Sequence, residues 1–510
     1  MATVSYTSST IDPELSKQFE SALARARAGR QAPILHHIGN TESDAGESFA
    51  SRDPANPATV LASAHTAGRD VVDAAVAAAR GSAAGWRNTH HEERIEVMRA
   101  AADGFATREM ELAGALSAET GKSRLESLAE VQESHDLIEQ YCDVLEAGNG
   151  FITPMKGRNG EHNVDVLRPY GVFGVIAPFN FPIALAIGMT AAALVTGNAV
   201  VLKPSDKTPL STELAAEIVR NALPDGVLNV VQGGPATGTA LAESAIDGLA
   251  FTGSAKVGWG LIQQLSRGPR PRPVLAEMGG QNPVIVTDSA DLDAAASGIV
   301  RSAYGFSGQK CSSTRRVIVA RAVYDGLLER LVARTGELVV GDAALQEMNV
   351  GPLIDEVIAD RVERALKSAD TDGHVVTGGR ERSLPGHFFR PIIVTGLPRG
   401  HRLTREELFA PFVTITAVDD FEEAIGEANA VDFGLTAGIF TTDDRQIDQF
   451  FSEAEAGVLY ANRAAGATTG AWPGEQSFCG WKQSGSTGKG GLGPWYPQGF
   501  CREQNRTFVK

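Results

Sequence analysis

From Gly171 onward, short apolar runs alternate with helix-like segments, and this alternation constrains the fold of the 510-residue chain more than any other feature. The runs GVFGVIAP, AVVLKP, GVLNVVQG and GLAFTGS are separated by segments whose apolar residues have helical spacing. This pattern predicts βαβ units, a parallel sheet and right-handed crossovers. It begins again near Pro273 with PVLAEMGG, PVIVTD and RRVIVA, and it continues to GVLYANR. The sequence therefore predicts an α/β protein with two parallel-sheet domains, since a chain of this length rarely folds around a single hydrophobic core.

Several segments lie outside this alternation. Residues 13–29 have the pattern of one amphipathic helix, and residues 69–144 are alanine-rich and helical in pattern throughout. Residues 148–168 form two short extended runs around a Gly/Asn-rich turn, which predicts a hairpin. The tail, residues 488–510, ends in the strand-like QNRTFVK. We expect this hairpin and this tail to pair with each other or with a partner chain.

Charge, hydropathy and cysteine content exclude some classes of protein. The formal net charge is −16, so the phosphates of a nucleic acid would be repelled. The most apolar segment, residues 183–195, is shorter than the roughly 20 residues that span a bilayer, and the first residues do not resemble a signal peptide. The 4 cysteines are too widely spaced for a disulfide framework. We expect a cytoplasmic protein that binds neither nucleic acid nor membrane.

Three short motifs lack the context that would give them a function. GKGGLG at 488–493 matches the dinucleotide fingerprint, but no strand precedes it and too few residues follow for a βαβ unit. We interpret it as a flexible loop. SGQK at 307–310 lacks the companion motifs of serine acyl transferases, and HHEER at 90–94 lacks the second histidine of a zinc helix. Since no Cys/His cluster has zinc-ligand spacing, no metal is predicted.

The segment GFSGQKCSSTRR, residues 305–316, surrounds Cys311 with glycine, serine and cationic residues. A structural cysteine is usually packed among apolar side chains. Here a glycine-rich turn should expose the sulfur, and backbone amides and nearby cations would favour the thiolate. A cysteine protease would need a histidine base, and the 10 histidines show no suggestive placement. Cys311 is therefore a candidate nucleophile.

Two polar residues at strand ends are candidates for the remaining chemistry. Glu277 ends an apolar strand before two glycines, where burial would raise its pKa and suit it to act as a general base. Alternatively, it is a strand-end glutamate in solvent. Asn180 follows a strand and precedes a helix, so its amide could donate to an oxyanion. Alternatively, it caps that helix.

A further group of residues follows strands at the carboxyl edge of the predicted sheet, where α/β folds bind ligands. In VVLKPSDKTP, Lys203 could reach the hydroxyls or phosphate of a cofactor, and Asp206 could accept from ribose hydroxyls. In FTGSAKVG, Gly253 and Ser254 lie at the start of a helix, which is a phosphate-binding position.

Together and in this order, the motifs resemble the NAD(P)-dependent aldehyde dehydrogenase family. The segments that carry the resemblance extend over essentially the whole chain: APFNFP, VLKPSDKTP, FTGS, AEMGGQNP, FSGQKCS, EELFAPF and FCGWKQSG. The resemblance implies an α/β fold of two doubly wound parallel-sheet domains plus a small β oligomerisation flap. It implies NAD binding by residues 1–147 and 169–275, a catalytic domain over 276–463, and homo-oligomerisation through 148–168 and 488–510.

The resemblance also implies a mechanism. The thiolate of Cys311 attacks an aldehyde carbon, and Asn180 and the backbone amide of Cys311 hold the oxyanion of the thiohemiacetal. Hydride transfer to nicotinamide leaves a thioester, which Glu277 hydrolyses by activating water, releasing a carboxylic acid. The residues implied in binding the cofactor are Pro178, Lys203, Asp206, Gly253, Ser254, Glu407 and Phe409.

Three segments resemble one branch of the family more closely. SAYGFSGQKCS, RQAPILHHIG and LYANRAAGA are similar to Δ1-pyrroline-5-carboxylate dehydrogenases, which oxidise L-glutamate γ-semialdehyde to L-glutamate. This resemblance implies that Phe181 lines the aliphatic chain of the aldehyde and that Ser312 assists beside the nucleophile. It also implies that Gly466, Ala467 and Phe478 grip the α-carboxylate and amine of the substrate.

The sequence departs from the family pattern at several positions. Asp206 stands where glutamate is usual; its carboxylate should repel a 2′-phosphate, so NAD is expected, with NADP possible. Ala410 and Cys479 stand where glycines are frequent, and Cys479 is either a small buried residue or a regulatory thiol. The loop 468–477 is longer than the branch pattern and could re-aim the anchor. The alternatives are another semialdehyde or an aromatic aldehyde as substrate, or a non-catalytic protein of the same fold.

Overall fold

A computed structural model describes residues 4–6, 11–267, 270, 272–463 and 471–509. The α-helices are α1 Pro13–Arg27, α2 Arg69–Asn88, α3 His91–Thr107, α4 Glu109–Thr120, α5 Arg124–Ala147, α6 Ala184–Val195, α7 Pro209–Ala222, α8 Pro235–Glu243, α9 Ala255–Leu265, α10 Leu292–Tyr304, α11 Tyr324–Gly336, α12 Glu356–Asp372, α13 Arg402–Arg405, α14 Phe421–Asn429 and α15 Asp444–Glu453.

The β-strands are β1 His36–Ile38, β2 Thr41–Ser43, β3 Ser48–Arg52, β4 Val60–His65, β5 Ile152–Met155, β6 Glu161–Pro169, β7 Val172–Ile176, β8 Ala199–Lys203, β9 Leu228–Val230, β10 Gly248–Gly253, β11 Val274–Met278, β12 Asn282–Val286, β13 Thr314–Ala320, β14 His374–Glu381, β15 Phe388–Thr395, β16 Phe412–Val418, β17 Phe433–Gly434, β18 Thr436–Phe440, β19 Val458–Ala461, β20 Trp481–Lys482 and β21 Cys501–Val509.

The first large sheet has the strand order β11-β10-β7-β8-β9-β1-β2. Its first five strands are parallel, and β1 and β2 add an antiparallel edge. Strands β7 and β8 are buried along their whole length. Helices cover both faces of a parallel sheet, so its strands are apolar without alternation, as the sequence runs GVFGVIAP and AVVLKP show. The carboxyl ends of β10, β7 and β8 lie side by side at one edge.

The second large sheet has the strand order β14-β15-β16-β13-β12-β18-β19. All neighbouring strands are parallel except β14, which pairs antiparallel with β15 at the edge. The two-sheet α/β fold predicted from the alternation is confirmed. The chain passes from the first sheet to the second at residues 279–281, because β11 belongs to the first sheet and β12 to the second.

A three-stranded antiparallel sheet stands apart from the two large sheets, in the order β21-β6-β5. Strands β5 and β6 form the predicted hairpin, and β21 pairs with β6 over nine residues, from Cys501 opposite Pro169 to Val509 opposite Glu161. The expected pairing of hairpin and tail therefore occurs within one chain.

The helical region predicted for residues 69–144 is confirmed as α2 to α5, and the amphipathic helix of residues 13–29 is α1. No helix within the described ranges combines the length and the apolar character that crossing a bilayer requires.

Candidate active site

One pocket collects five of the residues singled out in the sequence: Phe181, Glu277, Cys311, Ser312 and Phe478. Its remaining wall is largely apolar and comes from α5, α6 and residues 471–496. The pocket therefore lies at the end of the first sheet, beside the loop that precedes β13. Elements that are far apart in sequence meet there, which is why position in the chain alone could not define it.

Cys311 lies after a left-handed turn. The φ angles of Phe306, Ser307 and Gly308 are 48°, 54° and 68°, which are unusual for the two residues that carry a Cβ. The turn leaves the sulfur partly exposed in the pocket, as the sequence predicted. The backbone amides of Ser312 and Cys311 donate to the sulfur.

The expectation that cations would lower the pKa of Cys311 is wrong for this arrangement. Burial, followed by the carboxylates of Glu407 and Glu277, raises the pKa of the thiol to about 12, against the effect of the two backbone amides. Lys310, the adjacent cation, is paired with Glu126 at 2.5 Å. The electrostatic setting of the sulfur is therefore dominated by burial and by the two carboxylates.

Two amide side chains hold the nucleophile's loop, and sequence reasoning missed both. Asn282 donates to the carbonyl oxygens of Cys311 at 2.7 Å and Ser313 at 2.9 Å. Gln309 is buried, and its side chain exchanges hydrogen bonds with the backbone of residues 352–354. Both residues lie inside the motif segments AEMGGQNP and FSGQKCS, which is the signal that could have identified them.

Asn180 is buried, and its amide donates to the carbonyl oxygen of Gln309 at 3.0 Å. It does not cap α6: the N-cap of that helix is Ile183, and the amides of Ile183 and Ala184 donate to Glu130. The capping alternative is therefore wrong. Asn180 ties its own loop to the residue two positions before Cys311, and its role as an oxyanion donor stays a prediction.

Glu277 is the fourth residue of β11 and is half-buried. Its backbone bridges to Gly485, and its Oε2 atom has no hydrogen-bond partner among the described residues. Burial raises the pKa of this carboxyl well above its ordinary value. The alternative of a strand-end glutamate in solvent is wrong, because residues 484–486 cover the strand.

Glu407 reaches the glycine turn that follows Glu277. Its Oε1 accepts from the amide of Gly280 at 3.1 Å, and a Cβ at Gly279 would lie 1.9 Å from Oε2, so a side chain there would displace the Glu407 carboxylate. Burial raises the pKa of Glu407. Phe409 has a φ of 60° and packs edge-on against Phe179, with the ring centroids 5.9 Å apart. The loop of residues 406–411 therefore lies against the loop after β11.

The residues predicted to bind a cofactor lie at the carboxyl edge of the first sheet. Lys203 ends β8, Gly253 ends β10, and Pro178 follows β7. Ser254 is the exposed N-cap of α9, and its hydroxyl makes no capping hydrogen bond to the first turn of the helix. An anion can bind at such a helix N-terminus.

The ammonium group of Lys203 is held by backbone hydrogen bonds that the sequence did not predict. Its buried ammonium donates to the carbonyl oxygens of Gly233, at 2.9 Å, and Pro204, and burial lowers its pKa to about 8. Asp206 lies in a separate groove, where its carboxylate approaches Gly234 so closely that a Cβ there would be 3.0 Å from Oδ2. A carboxylate beside Gly234, the N-cap of α8, suits the hydroxyls of a ribose.

The pocket also holds charged groups that sequence reasoning missed. The hydroxyl of Tyr6 donates to Glu133 at 2.5 Å, and both residues line the pocket. Burial raises the pKa of Glu133 to about 7. The buried ammonium of Lys122 lies 3.4 Å from the ring centroid of Phe181 and is paired with Glu130. Since Glu133 and Lys122 belong to a long helical region, no local motif marked them.

Of the predicted substrate anchor, Phe478 lines the pocket, whereas Gly466 and Ala467, with the start of the longer 468–477 loop, lie outside the described residues. The GKGGLG segment is a loop, as predicted, but a closely packed one. A Cβ at Gly490 would lie 1.6 Å from the carbonyl oxygen of Phe478, and Leu492 lines the pocket. Cys479 is half-buried, and its thiol donates to Gly457 at 3.4 Å.

Comparison with known proteins is consistent across three kinds of evidence. The model of the aldehyde dehydrogenase family matches residues 41–504. A 1-pyrroline-5-carboxylate dehydrogenase of Geobacillus sp. (strain WCH70) is 35% identical over 496 residues, covering 94% of this chain and 94% of that protein. The structure of a mutant 1-pyrroline-5-carboxylate dehydrogenase from Thermus thermophilus has a TM-score of 0.95 at 31% identity, covering 99% of this chain and 98% of that one. A 1-pyrroline-5-carboxylate dehydrogenase from Thermus with bound NAD has a TM-score of 0.94 at 32% identity, with the same coverage.

Proposed function

The chain belongs to the aldehyde dehydrogenase family, and we propose that it oxidises L-glutamate γ-semialdehyde to L-glutamate with NAD. The observation that carries the proposal is the pocket in which the sulfur of Cys311 and the unpaired carboxyl oxygen of Glu277 meet beneath an apolar wall. A nucleophile and a base in one enclosed pocket suit covalent oxidation followed by hydrolysis.

In the first step, the Cys311 sulfur forms a bond to the aldehyde carbon. Burial, then Glu407 and Glu277, raise the pKa of the thiol, so we infer that its proton passes to the carboxylate of Glu277 as the sulfur attacks, and from there to solvent before the last step. The Asn180 amide and the backbone amide of Cys311 are the donors assigned to the resulting oxyanion. The hydrogen bond from Asn180 to Gln309 fixes that amide beside the nucleophile's loop.

The second step is the oxidation of the carbon bound to Cys311: a bound NAD would supply the hydride acceptor, and Cys311 would then hold a thioester. We assign the cofactor's pyrophosphate to the N-terminus of α9 at Gly253 and Ser254, with Lys203, Asp206 and Pro178 lining the adenosine side. Glu407 and Phe409 are assigned to the nicotinamide end. The carboxylate of Asp206 would repel the 2′-phosphate of NADP, which favours NAD.

In the last step, Glu277 takes a proton from the water that attacks the thioester, and the acid is released. The raised pKa of Glu277 makes its carboxylate, once ionised, a stronger base toward water than an ordinary glutamate. Thioester hydrolysis should therefore accelerate as pH rises through the pKa of Glu277.

The names of the relatives and the mixed lining of the pocket support the substrate assignment. Phe181 and Phe478 suit an aliphatic chain, and Ser312, Glu133 and Lys310 add polar groups to the same wall. We assign the anchoring of the amino-acid end to Gly466, Ala467 and Phe478, with Ser312 beside the nucleophile.

We further propose that residues 1–147 and 169–275 form the NAD-binding domain and residues 276–463 the catalytic domain. The segments 148–168 and 488–510 are assigned to homo-oligomerisation, and the cytoplasm is the proposed location.

Three variants test the mechanism by absorbance at the NADH band. Cys311→Ala should abolish NADH formation. Glu277→Gln should give one burst of NADH per active site and then stop, because the thioester is not hydrolysed. Cys142→Ala, which removes a buried thiol outside the pocket, is the matched control and should keep turnover. Steady turnover by Cys311→Ala would contradict the mechanism. A panel of semialdehydes and aromatic aldehydes, each measured with NAD and with NADP, tests the substrate assignment.

A further inference from the structure

Arg315 is a buried guanidinium that the mechanism above does not use. It is the second residue of β13 and only 2% exposed. In the parallel pairing of β12 with β13, Thr314 lies opposite Asn282 and Arg316 opposite Pro283. Arg315 is therefore the extra residue of a β-bulge. Bulges re-aim a side chain and are frequent beside active sites.

The guanidinium contacts two loops at once. Its Nη1 donates to the carbonyl oxygen of Ala410 at 2.8 Å, and its Nη2 donates to those of Lys310, at 3.1 Å, and Gly308. Its central carbon lies 5.8 Å from the ring centroid of Phe409. One rigid, planar side chain thus connects the loop of Cys311 with the loop of residues 406–411.

The charge of Arg315 also lies within reach of the reacting groups. Glu407 and an ionised Cys311 favour its charged form, although burial is the larger effect and lowers the pKa of Arg315 to about 10. The other charged groups that face Cys311 are Glu277 from β11 and Lys310, which Glu126 of α5 neutralises. Arg315 is therefore the cation beside the nucleophile that has no carboxylate within ion-pair distance among the described residues.

We propose that Arg315 is a positioning residue that fixes Cys311 relative to the loop bearing Glu407 and Phe409. The proposal rests on the proposed function, which places the nicotinamide end of the cofactor against that loop. Hydride transfer requires the sulfur-bound carbon and the nicotinamide to be aligned, and a displacement of about 1 Å can cost about a hundredfold in rate. Losing the connection between the loops should reduce kcat more than it changes KM.

The first test compares two conservative variants. Arg315→Lys keeps the charge but cannot donate to carbonyls of both loops, so kcat should fall about a hundredfold while KM for the aldehyde changes by less than about threefold. Arg316→Lys is the matched control. Arg316 is equally buried, but it donates to the carbonyl oxygens of Gln281, Glu427 and Ala428, outside both loops. We expect it to lower the unfolding midpoint and to leave kcat within about threefold of wild type.

The second test needs no aldehyde: the rate at which iodoacetamide alkylates Cys311 is compared at one fixed pH near 8, well below the pKa of the thiol. Arg315→Met removes the charge and should slow alkylation about tenfold, whereas Arg315→Lys should keep the wild-type rate. If wild type fails to oxidise glutamate semialdehyde, the proposed function fails, and the alkylation rates still decide the role of Arg315. Wild-type kcat in Arg315→Lys, or an equal loss in Arg316→Lys, would overturn the proposal. If Arg315→Met does not fold, the two lysine variants decide.

Discussion

Among single residues, Glu133 is a buried carboxyl whose protonation depends on the fold and which is given no step in the proposed reaction. It is 8% exposed and accepts a hydrogen bond from Tyr6. Burial raises its pKa from 4.5 to about 7. Between these two values the folded protein holds a proton that the unfolded chain has released. The stabilising contribution is therefore fully present below pH 4.5 and is lost as the pH rises to about 7.

This contribution can be measured by urea unfolding at pH 5 and pH 8. We expect Glu133→Gln to remove roughly 2 to 3 kcal/mol of the difference in unfolding free energy between the two pH values, because one pKa unit corresponds to about 1.4 kcal/mol. The exposed Glu475→Gln is the control and should leave the pH dependence unchanged. An equal pH dependence in Glu133→Gln and wild type would mean that another group titrates.

The sequence predicted those site residues whose neighbours in the chain already show their surroundings. Glu277 at a strand end before two glycines and Cys311 in a glycine-rich turn could be nominated from neighbours in the chain, and the structure brings both to one pocket. Glu133 could not, because it lies in the middle of an ordinary amphipathic helix, α5. Arg315 could not either, because a bulge decides where its side chain points, and strand alternation would place it differently.

Among the elements, the three-stranded sheet formed by β5, β6 and β21 exposes several large apolar side chains. Met155 is 52% exposed and Val509 67% exposed, at neighbouring ends of strands that pair with β6. Exposed apolar patches on such a sheet are typical of interfaces between subunits. The sheet is therefore the proposed site of self-association.

Charged substitutions on this sheet should separate association from folding. We expect Met155→Glu combined with Val509→Glu to lower the mass in light scattering toward the 53.7 kDa of one chain, with little change in the unfolding midpoint at high dilution. Val357→Glu replaces another exposed valine, 64% exposed on α12, and should leave the mass of the assembly unchanged. A double variant with the wild-type mass would place the interface elsewhere.

The elements themselves could be predicted where the pattern was periodic. The alternating strands and helices of both sheets, the hairpin and the helical region of residues 69–144 all had clear periodicity, and all are present. The antiparallel strands β1, β2 and β14 at the sheet edges were not anticipated. Strands β1 and β2 have only three residues each, and β14 is longer but carries glycines and is half-exposed, so local composition gives a weak strand signal.

For the whole molecule, the binding of NAD to one edge of the first sheet should appear as a gain in stability. A ligand that binds only the folded state at about 100 times its Kd adds about 2.7 kcal/mol to the unfolding free energy. We expect NAD to raise the unfolding midpoint more than NADP at equal concentration, because the carboxylate of Asp206 repels a 2′-phosphate.

Removing that carboxylate should reduce the discrimination. In Asp206→Ala, the ratio of NADP to NAD dissociation constants, measured by fluorescence titration, should fall about tenfold. Asp225→Ala changes an exposed aspartate of the same domain, before β9, and should leave the ratio as in wild type. An unchanged ratio in Asp206→Ala would show that another group selects the cofactor.

The segment that covers Glu277 also has a consequence for the order in which the site is completed. Residues 484–486 bond to β11 on both sides of Glu277, and residues 471–496 supply much of the pocket wall. A chain that refolds from denaturant must therefore bring residues 471–496 back onto β11 before the pocket around Cys311 and Glu277 is enclosed. Until those two distant segments have met, the reactive thiol is open to solvent.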